Sequence, residues 1–154
     1  MPPADPPPGS AEDWLRRAHS DLALARLPRP PGVLLEDLCY HSQQAAEKAL
    51  KAVLIARSRP VPRTHSIPRL LELMPAQEAV PETVQQAAIL TDYAVSARYP
   101  GLLEPIDDDE LERAISLAEG VVTWANAQII ESEMPPSRNR GTMTGAEGGK
   151  GESE

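Results

Sequence analysis

The sequence predicts an all-α protein, an antiparallel up-and-down bundle of four long helices and one short helix. Aromatic residues make up only 3% of the chain and Phe is absent, so the core must consist of Leu, Ile, Val and Ala, which favours closely packed helices over a sheet. Apolar residues recur at spacings of three and four, as on one face of a helix, and no strand-like alternation is seen. The seventeen prolines cluster between these segments, where they do not interrupt a helix.

The first helix is predicted to begin at Ser10. Residues 1–9 are rich in proline and are expected to form a disordered lead segment. Ser10 suits the N-cap position, and Asp13, three residues later, completes a capping box. Leu27 is expected to end the helix before a proline-rich turn.

The second helix is predicted from Val33 to Ser58 and carries a seam of small side chains. The seam has alternating spacings of four and three residues: Leu38, Ser42, Ala45, Ala49, Ala52 and Ala56. Small side chains let the axis of another helix approach closely, and we expect this seam to build a homodimer interface. Pro60 and Pro62 end the helix, because proline removes a donor and disfavours helical geometry in the residue before it.

Two further helices are predicted before residue 102. Ser66 is expected to cap a short third helix that covers 67–74. Pro81 suits the first turn of a long fourth helix, and the sequence Tyr-Pro-Gly at 99–101 is a turn signature that ends it.

Asp107 is expected to cap the fifth helix, with Glu110 as the second half of a capping box. The helical domain is therefore expected to span residues 10–133. The remaining segment, 134–154, has no apolar period and is expected to be a disordered tail.

Charge and composition bound the function. The net charge of −8 argues against indiscriminate binding to nucleic acid, which depends on many Lys and Arg contacts, although four arginines between residues 57 and 69 leave room for a local basic site. The single cysteine, Cys39, is expected to be buried and fits a reducing compartment. No run is apolar enough to span a bilayer, and the N-terminus lacks the pattern of a secretory signal. A cytoplasmic protein that does not enter the membrane is expected.

Few residues suggest catalysis. The three histidines lie on different predicted elements, so no metal site is expected. No Gly-rich phosphate loop occurs in the sequence, and no cofactor is expected. Metal-free RNA cleavage needs an acid or base near neutral pKa and a cation beside the phosphate, and Arg59 with His65 is one candidate pair. The alternative is that Arg59 is solvated and that His65 helps to cap the short helix.

Three segments together resemble the HEPN domain family. They are YHSQQAAEKALKAVLIAR at 40–57, PRTHSIPRLLEL at 62–73 and LTDYAVSARYPG at 90–101. The motifs H-x-Q-Q-A-A-E-K-A-L-K and R-Y-P are similar to those of the bacterial and archaeal branch, and the resemblance covers about 11–131. It implies a helical bundle that usually forms a homodimer and is often encoded beside a minimal nucleotidyltransferase, as in toxin–antitoxin systems.

The resemblance also implies site residues. HEPN ribonucleases carry an Arg and a His separated by four to six residues, at the end of the helix that precedes the last long one or in the turn after it. Arg98 occupies this region, but no His occurs between Tyr99 and Glu104. This departure implies a binding protein rather than an enzyme. The residues expected to bind nucleotide or RNA are Arg98, Tyr99, His41, Gln44, Lys48 and His65.

Three hypotheses follow. The first is a dimeric HEPN module that binds a nucleotide or RNA and acts with a minimal nucleotidyltransferase. The second is a metal-independent HEPN ribonuclease toxin that uses Arg98 and His65, and the third is a purely structural dimerisation module. In the third case Gln43 and Gln44 hydrogen-bond across a dimer interface. Glu47 and Lys51 then form an ordinary i, i+4 ion pair of a helix, and Lys48 is solvated.

Overall fold

The computed structural model describes residues 2–96, 99, 101 and 104–133, except for the side chain of Ser96. Helices are the only regular secondary structure in this part of the chain, and the predicted all-α bundle is confirmed. The helices are α1 (Ala11–Ala25), α2 (Leu35–Ala56), α3 (Ile67–Glu72), α4 (Glu82–Gln85), α5 (Thr91–Ser96) and α6 (Asp108–Glu133), with 3₁₀ segments at Ala76–Glu78 and Gln86–Leu90. Among the described residues, no helix is both long enough and apolar enough to cross a membrane.

The predicted start of α1 is confirmed. The Oγ of Ser10 accepts a hydrogen bond from the backbone N–H of Asp13 at 3.2 Å, and the Asp13 carboxylate accepts one from the N–H of Gly9 at 2.9 Å. The N–H of Gly9 and the side chains of Arg16 and Arg17 together lower the pKa of Asp13 to about 2. The helix ends at Ala25, slightly before the predicted end.

Helix α2 is the centre of the bundle. Fourteen of its 22 residues are buried, a pattern typical of a helix surrounded on all sides by others. It packs chiefly against α1 and α6, and less extensively against α3 and α5.

The expectation that the small-residue seam of α2 builds a homodimer is wrong. Ser42, Ala45, Ala49 and Ala52 are all 0% exposed within the single chain. The helices that approach α2 closely therefore belong to the same chain, and only Ala56, at the end of the seam, is partly exposed.

The predicted long fourth helix is a continuous helical segment with a tighter middle. Helix α4, the 3₁₀ segment Gln86–Leu90 and α5 follow one another without a break. Val84, Ala87, Leu90 and Tyr93 are all buried. Their spacing of three residues matches the three residues per turn of a 3₁₀ helix, which turns these side chains toward the core.

The predicted caps of α3 and α6 are confirmed. The Ser66 hydroxyl accepts from the N–H of Arg69 at 3.3 Å, and the Asp107 carboxylate accepts from the N–H of Glu110 at 2.8 Å. The carboxylate of Glu110 accepts a hydrogen bond from the Tyr93 hydroxyl at 2.7 Å, which links α5 to α6. The side chain of Glu110 thus links α5 to α6, while its backbone N–H binds the capping carboxylate of Asp107.

Cys39 is buried in the core, as predicted. Burial disfavours the thiolate and raises the pKa of this thiol to about 12. The side chain is therefore an inert core residue.

Candidate functional site

Asp21 on α1 brings together two of the residues expected at the site. One carboxylate oxygen lies 2.9 Å from Nδ1 of His41, and the other accepts from Nζ of Lys48 at 2.6 Å. His41 and Lys48 are seven residues apart, about two turns along one face of α2. Asp21 is buried, whereas both partners are partly exposed. The result is a polar cluster at the α1–α2 surface, here called the Asp21 cluster (Asp21, His41 and Lys48).

The geometry orients the imidazole of His41. An ionised carboxylate can only accept hydrogen bonds, so Nδ1 carries the proton in this contact. The opposite nitrogen, Nε2, is then the one that can accept or donate a proton elsewhere. The Lys48 ammonium has three donors, of which the contact with Asp21 uses one.

A second polar cluster surrounds the buried carboxylate of Glu47. It accepts from Nζ of Lys51 at 3.4 Å and from Nε2 of Gln43 at 3.3 Å, and it lies 2.8 Å from Nδ1 of His65. His65 is exposed, while the other three side chains are buried. We call this the Glu47 cluster (Gln43, Gln44, Glu47, Lys51 and His65). The interpretation of His65 as a helix cap is wrong, because Ser66 caps α3 and the His65 ring contacts Glu47.

The glutamines complete the Glu47 cluster within the chain. The amide of Gln44 donates to the side-chain oxygen of Gln43 at 2.7 Å, and that of Gln43 also donates to the backbone carbonyl of His65 at 3.3 Å. Both glutamines are buried. The suggestion that they hydrogen-bond across a dimer interface is therefore wrong.

The motif lysines are not simple surface charges. Lys48 is held by Asp21. Lys51 pairs with Glu47 as expected from their i, i+4 spacing, but this pair is buried, and its Nζ lies 5.4 Å from the centroid of the Trp14 ring. A cation at this distance from an indole ring is attracted by it. Throughout the described part of the chain, every buried side-chain polar atom has a hydrogen-bond partner.

The two remaining predicted residues lie beyond α5. Arg98 falls outside the described residues. Tyr99 is exposed, and its backbone N–H donates to the carbonyl of Val95 at 3.2 Å. The described contacts thus place His41 and Lys48 on Asp21, and His65 on Glu47, to which Gln44 is linked only through Gln43.

The arginines after α2 have different roles. Arg57 is partly buried, forms an ion pair with the buried Glu78, and donates to the carbonyl of Gln128 at 3.4 Å. Its role is to tie the end of α2 to α6. Arg59 is exposed, whereas His65, its proposed partner in RNA cleavage, is held by Glu47.

Asp21 is a site residue that the sequence patterns do not single out, although a signal is present. Asp21 lies three residues after Ala18 and next to Leu22, on the face of α1 that is buried. An acidic residue on an apolar helix face requires a partner, because an unpaired buried charge is costly. The sequence does not identify that partner, because His41 is 20 residues away.

The comparisons with known proteins agree with this architecture. The HEPN domain matches residues 11–128, and the chain therefore belongs to the HEPN domain family. The crystal structure of TT1696 from Thermus thermophilus has a TM-score of 0.69 and 33% identity, and the match covers 78% of this chain and 98% of that one.

An archaeal HEPN homologue, ST0689, is also similar. Its crystal structure has a TM-score of 0.62 and 29% identity, with the same coverage of 78% of this chain and 98% of the other. None of the curated proteins matches the chain.

Proposed function

We propose that this protein is a dimeric HEPN module that binds a nucleotide or RNA and acts beside a minimal nucleotidyltransferase. The Asp21 cluster is the observation that carries the proposal. It holds an imidazole and an ammonium at the surface, in fixed positions, on a protein whose net charge is −8. Such a protein needs a local site of this kind to attract a phosphate.

The chemistry of the Asp21 cluster suits a single phosphate group. The charge of Asp21 is balanced by Lys48. The Lys48 ammonium has two N–H donors besides the one that contacts Asp21, and these can bind phosphate oxygens. Nε2 of His41 adds a further donor when the ring is protonated. The proposed site also includes Arg98, which would supply a guanidinium, and Tyr99, which would supply a hydroxyl.

Calorimetry with nucleotides and a short unstructured RNA tests the binding proposal. Lys48→Ala and Arg98→Ala are each expected to weaken binding about tenfold or more, as for loss of a charge-assisted hydrogen bond. Arg113→Ala, which removes an exposed arginine from α6, is the control for loss of one positive charge and should leave binding unchanged. Absence of binding by the wild-type protein would refute the proposal and favour a purely structural module.

The homodimer and the nucleotidyltransferase need separate tests. Light scattering of the purified protein is expected to give twice the monomer mass of 16.7 kDa, and a monomer would contradict the dimer. The reading frame beside this one is expected to encode a small nucleotidyltransferase. Co-expression of the two should yield a complex that survives gel filtration, and separate elution would argue against the pairing.

A metal-independent ribonuclease is the second candidate, and one observation favours it. Nδ1 of His41 and of His65 each face a buried carboxylate, the arrangement that orients a histidine for general acid–base catalysis. The missing histidine after Arg98 argues against it, so we expect a labelled RNA to remain intact in the presence of a chelator. Cleavage that is abolished in both Arg98→Ala and His65→Ala would establish the ribonuclease instead.

A further inference from the structure

A cavity opens beside the Asp21 cluster, at the turn between α1 and α2. Its volume is about 440 Å³, within the range of small-molecule sites. The walls are mostly apolar, and they are formed by Leu24, Leu27, Pro30, Val33, Asp37, Leu38, Tyr40 and His41. His41 thus belongs both to the cavity wall and to the Asp21 cluster.

The turn that forms one wall is preorganised. The N–H of Val33 donates to the carbonyl of Pro30 at 3.1 Å, and Gly32 has a φ of 82°. Pro31 precedes Gly32, so this segment has the hydrogen bond and the residue pattern of a type II β-turn, in which the third position favours glycine. Because proline and the turn restrict the loop, little conformational entropy is lost when a ligand enters.

The remaining walls suit a flat ring. The ring centroids of Tyr40 and His41 lie 5.7 Å apart with an interplanar angle of 62°, so the two rings meet edge to face. Leu24 and Leu27 are 41% and 51% exposed, which leaves their apolar surface available for contact. Aromatic and apolar side chains are the groups on which nucleobases stack.

Charge defines the orientation of a ligand in the cavity. Asp37 is exposed at the cavity wall, and its carboxylate can accept hydrogen bonds from the N–H groups of a base but repels a phosphate. The cation, Lys48, lies seven residues after His41 on α2, whereas Asp37 lies four residues before it. Because His41 Nδ1 and Lys48 Nζ contact the same carboxylate at 2.9 and 2.6 Å, they are within about 8 Å of each other. Since His41 borders the cavity and also lies beside Lys48, the base and the phosphate of one nucleotide, joined by its ribose, can reach the two places.

We propose that the cavity holds the base of a nucleotide whose ring carries an exocyclic amino group, while the phosphate of that nucleotide contacts Lys48 and Nε2 of His41. The inference rests on the proposed nucleotide-binding function and adds to it the position, the orientation and the class of base. A free nucleotide and an unpaired residue of RNA both present this chemistry.

The test measures the affinity for GMP by calorimetry in a double variant, Leu24→Gln with Leu27→Gln. Both leucines are half exposed, so the fold should persist. The matched control is Ile89→Gln with Ile130→Gln, since both isoleucines are 49% exposed and neither lines the cavity. We expect GMP to bind about tenfold more weakly to the leucine variant, because apolar contacts in a pocket are worth about that much. The control should bind GMP as tightly as the wild type does. Ribose 5-phosphate, which lacks the base, should not distinguish the three proteins.

The other outcomes separate this inference from the proposed function. If the leucine variant binds GMP as tightly as the wild type, the cavity is not the base site, although nucleotide binding itself stands. If the wild-type protein binds neither GMP nor AMP nor a four-nucleotide RNA, both proposals fail. Two outcomes support the inference. If the leucine variant binds both GMP and the RNA more weakly than the wild type does, the cavity takes a base from an RNA strand. If it binds only GMP more weakly, the ligand of the cavity is a free nucleotide.

Discussion

Replacement of Lys51 by methionine tests whether the buried Glu47 cluster is a structural requirement of the fold. The side chains of Lys51 and Glu47 are 8% and 3% exposed, and their charged atoms lie 3.4 Å apart. Methionine fills most of the same volume but has no charge, so it leaves the Glu47 carboxylate buried with one cation fewer. It also removes the contact between the ammonium and the Trp14 ring.

The expected cost is about 3 kcal/mol. Breaking a buried ion pair by removing one partner usually costs about 3–5 kcal/mol, and the lower end applies here because Gln43 and His65 still contact Glu47. A loss of this size should lower the melting temperature by about 10 °C in a domain of this length.

Urea unfolding followed by circular dichroism measures this cost. The matched control is Arg69→Met, which breaks a similar ion pair with Glu72 at 3.5 Å whose side chains are 57% and 68% exposed. That change should cost about 0.5 kcal/mol or less. The double variant Glu47→Leu with Lys51→Met should cost less than the sum of its single changes, since neither charge is left without the other. If Lys51→Met is no more destabilising than Arg69→Met, the buried pair does not stabilise the fold and the reasoning is refuted.

Three further predictions concern the core and the first helix. Ala49→Leu should destabilise the protein by about 1–3 kcal/mol, because Ala49 is 0% exposed and a larger side chain would overpack the core. The control Ala127→Leu, on the exposed face of α6, should be nearly neutral. Equal effects of the two changes in urea unfolding would contradict the packing of the seam. Asp13 has its pKa lowered from 3.8 to about 2, so its contribution to stability is complete above pH 4 and disappears as the pH falls toward 2. Asp13→Asn should therefore flatten the dependence of the denaturation midpoint on pH in this range, and an unchanged slope would rule out the contribution. Cys39, with a pKa raised to about 12 by burial, should resist iodoacetamide at pH 8 in the native protein and react once urea unfolds it; fast labelling of the native protein would show that the thiol is accessible.

The elements that the sequence predicts correctly depend on local signals. Ser10, Ser66 and Asp107 cap helices through hydrogen bonds that span three residues, so sequence spacing alone reveals them. The sequence does not predict the 3₁₀ segment Gln86–Leu90, and the reason is physical. Apolar residues at spacings of three, as from Val84 to Leu90, also fit an α-helix, and a few residues do not distinguish the two periods.

The site and the role of the seam depend on contacts between distant segments. The spacing of His41 and Lys48 places them on one face of α2, but the carboxylate that holds both belongs to another helix. A small-residue seam likewise indicates close helix packing without saying whether the partner helix belongs to the same chain. Only the folded chain reveals that Ala45 and Ala49 are buried within it, on a helix that packs chiefly against α1 and α6.

Nuclear magnetic resonance during a titration with GMP tests the central claim most directly. The claim is that the phosphate of a bound nucleotide contacts the Asp21 cluster. The imidazole resonances of His41 and the ammonium resonance of Lys48 should then shift in proportion to the bound fraction, while the imidazole of His19, which is exposed on α1, stays unchanged. Saturable binding of GMP that leaves the His41 and Lys48 resonances in place would contradict the account.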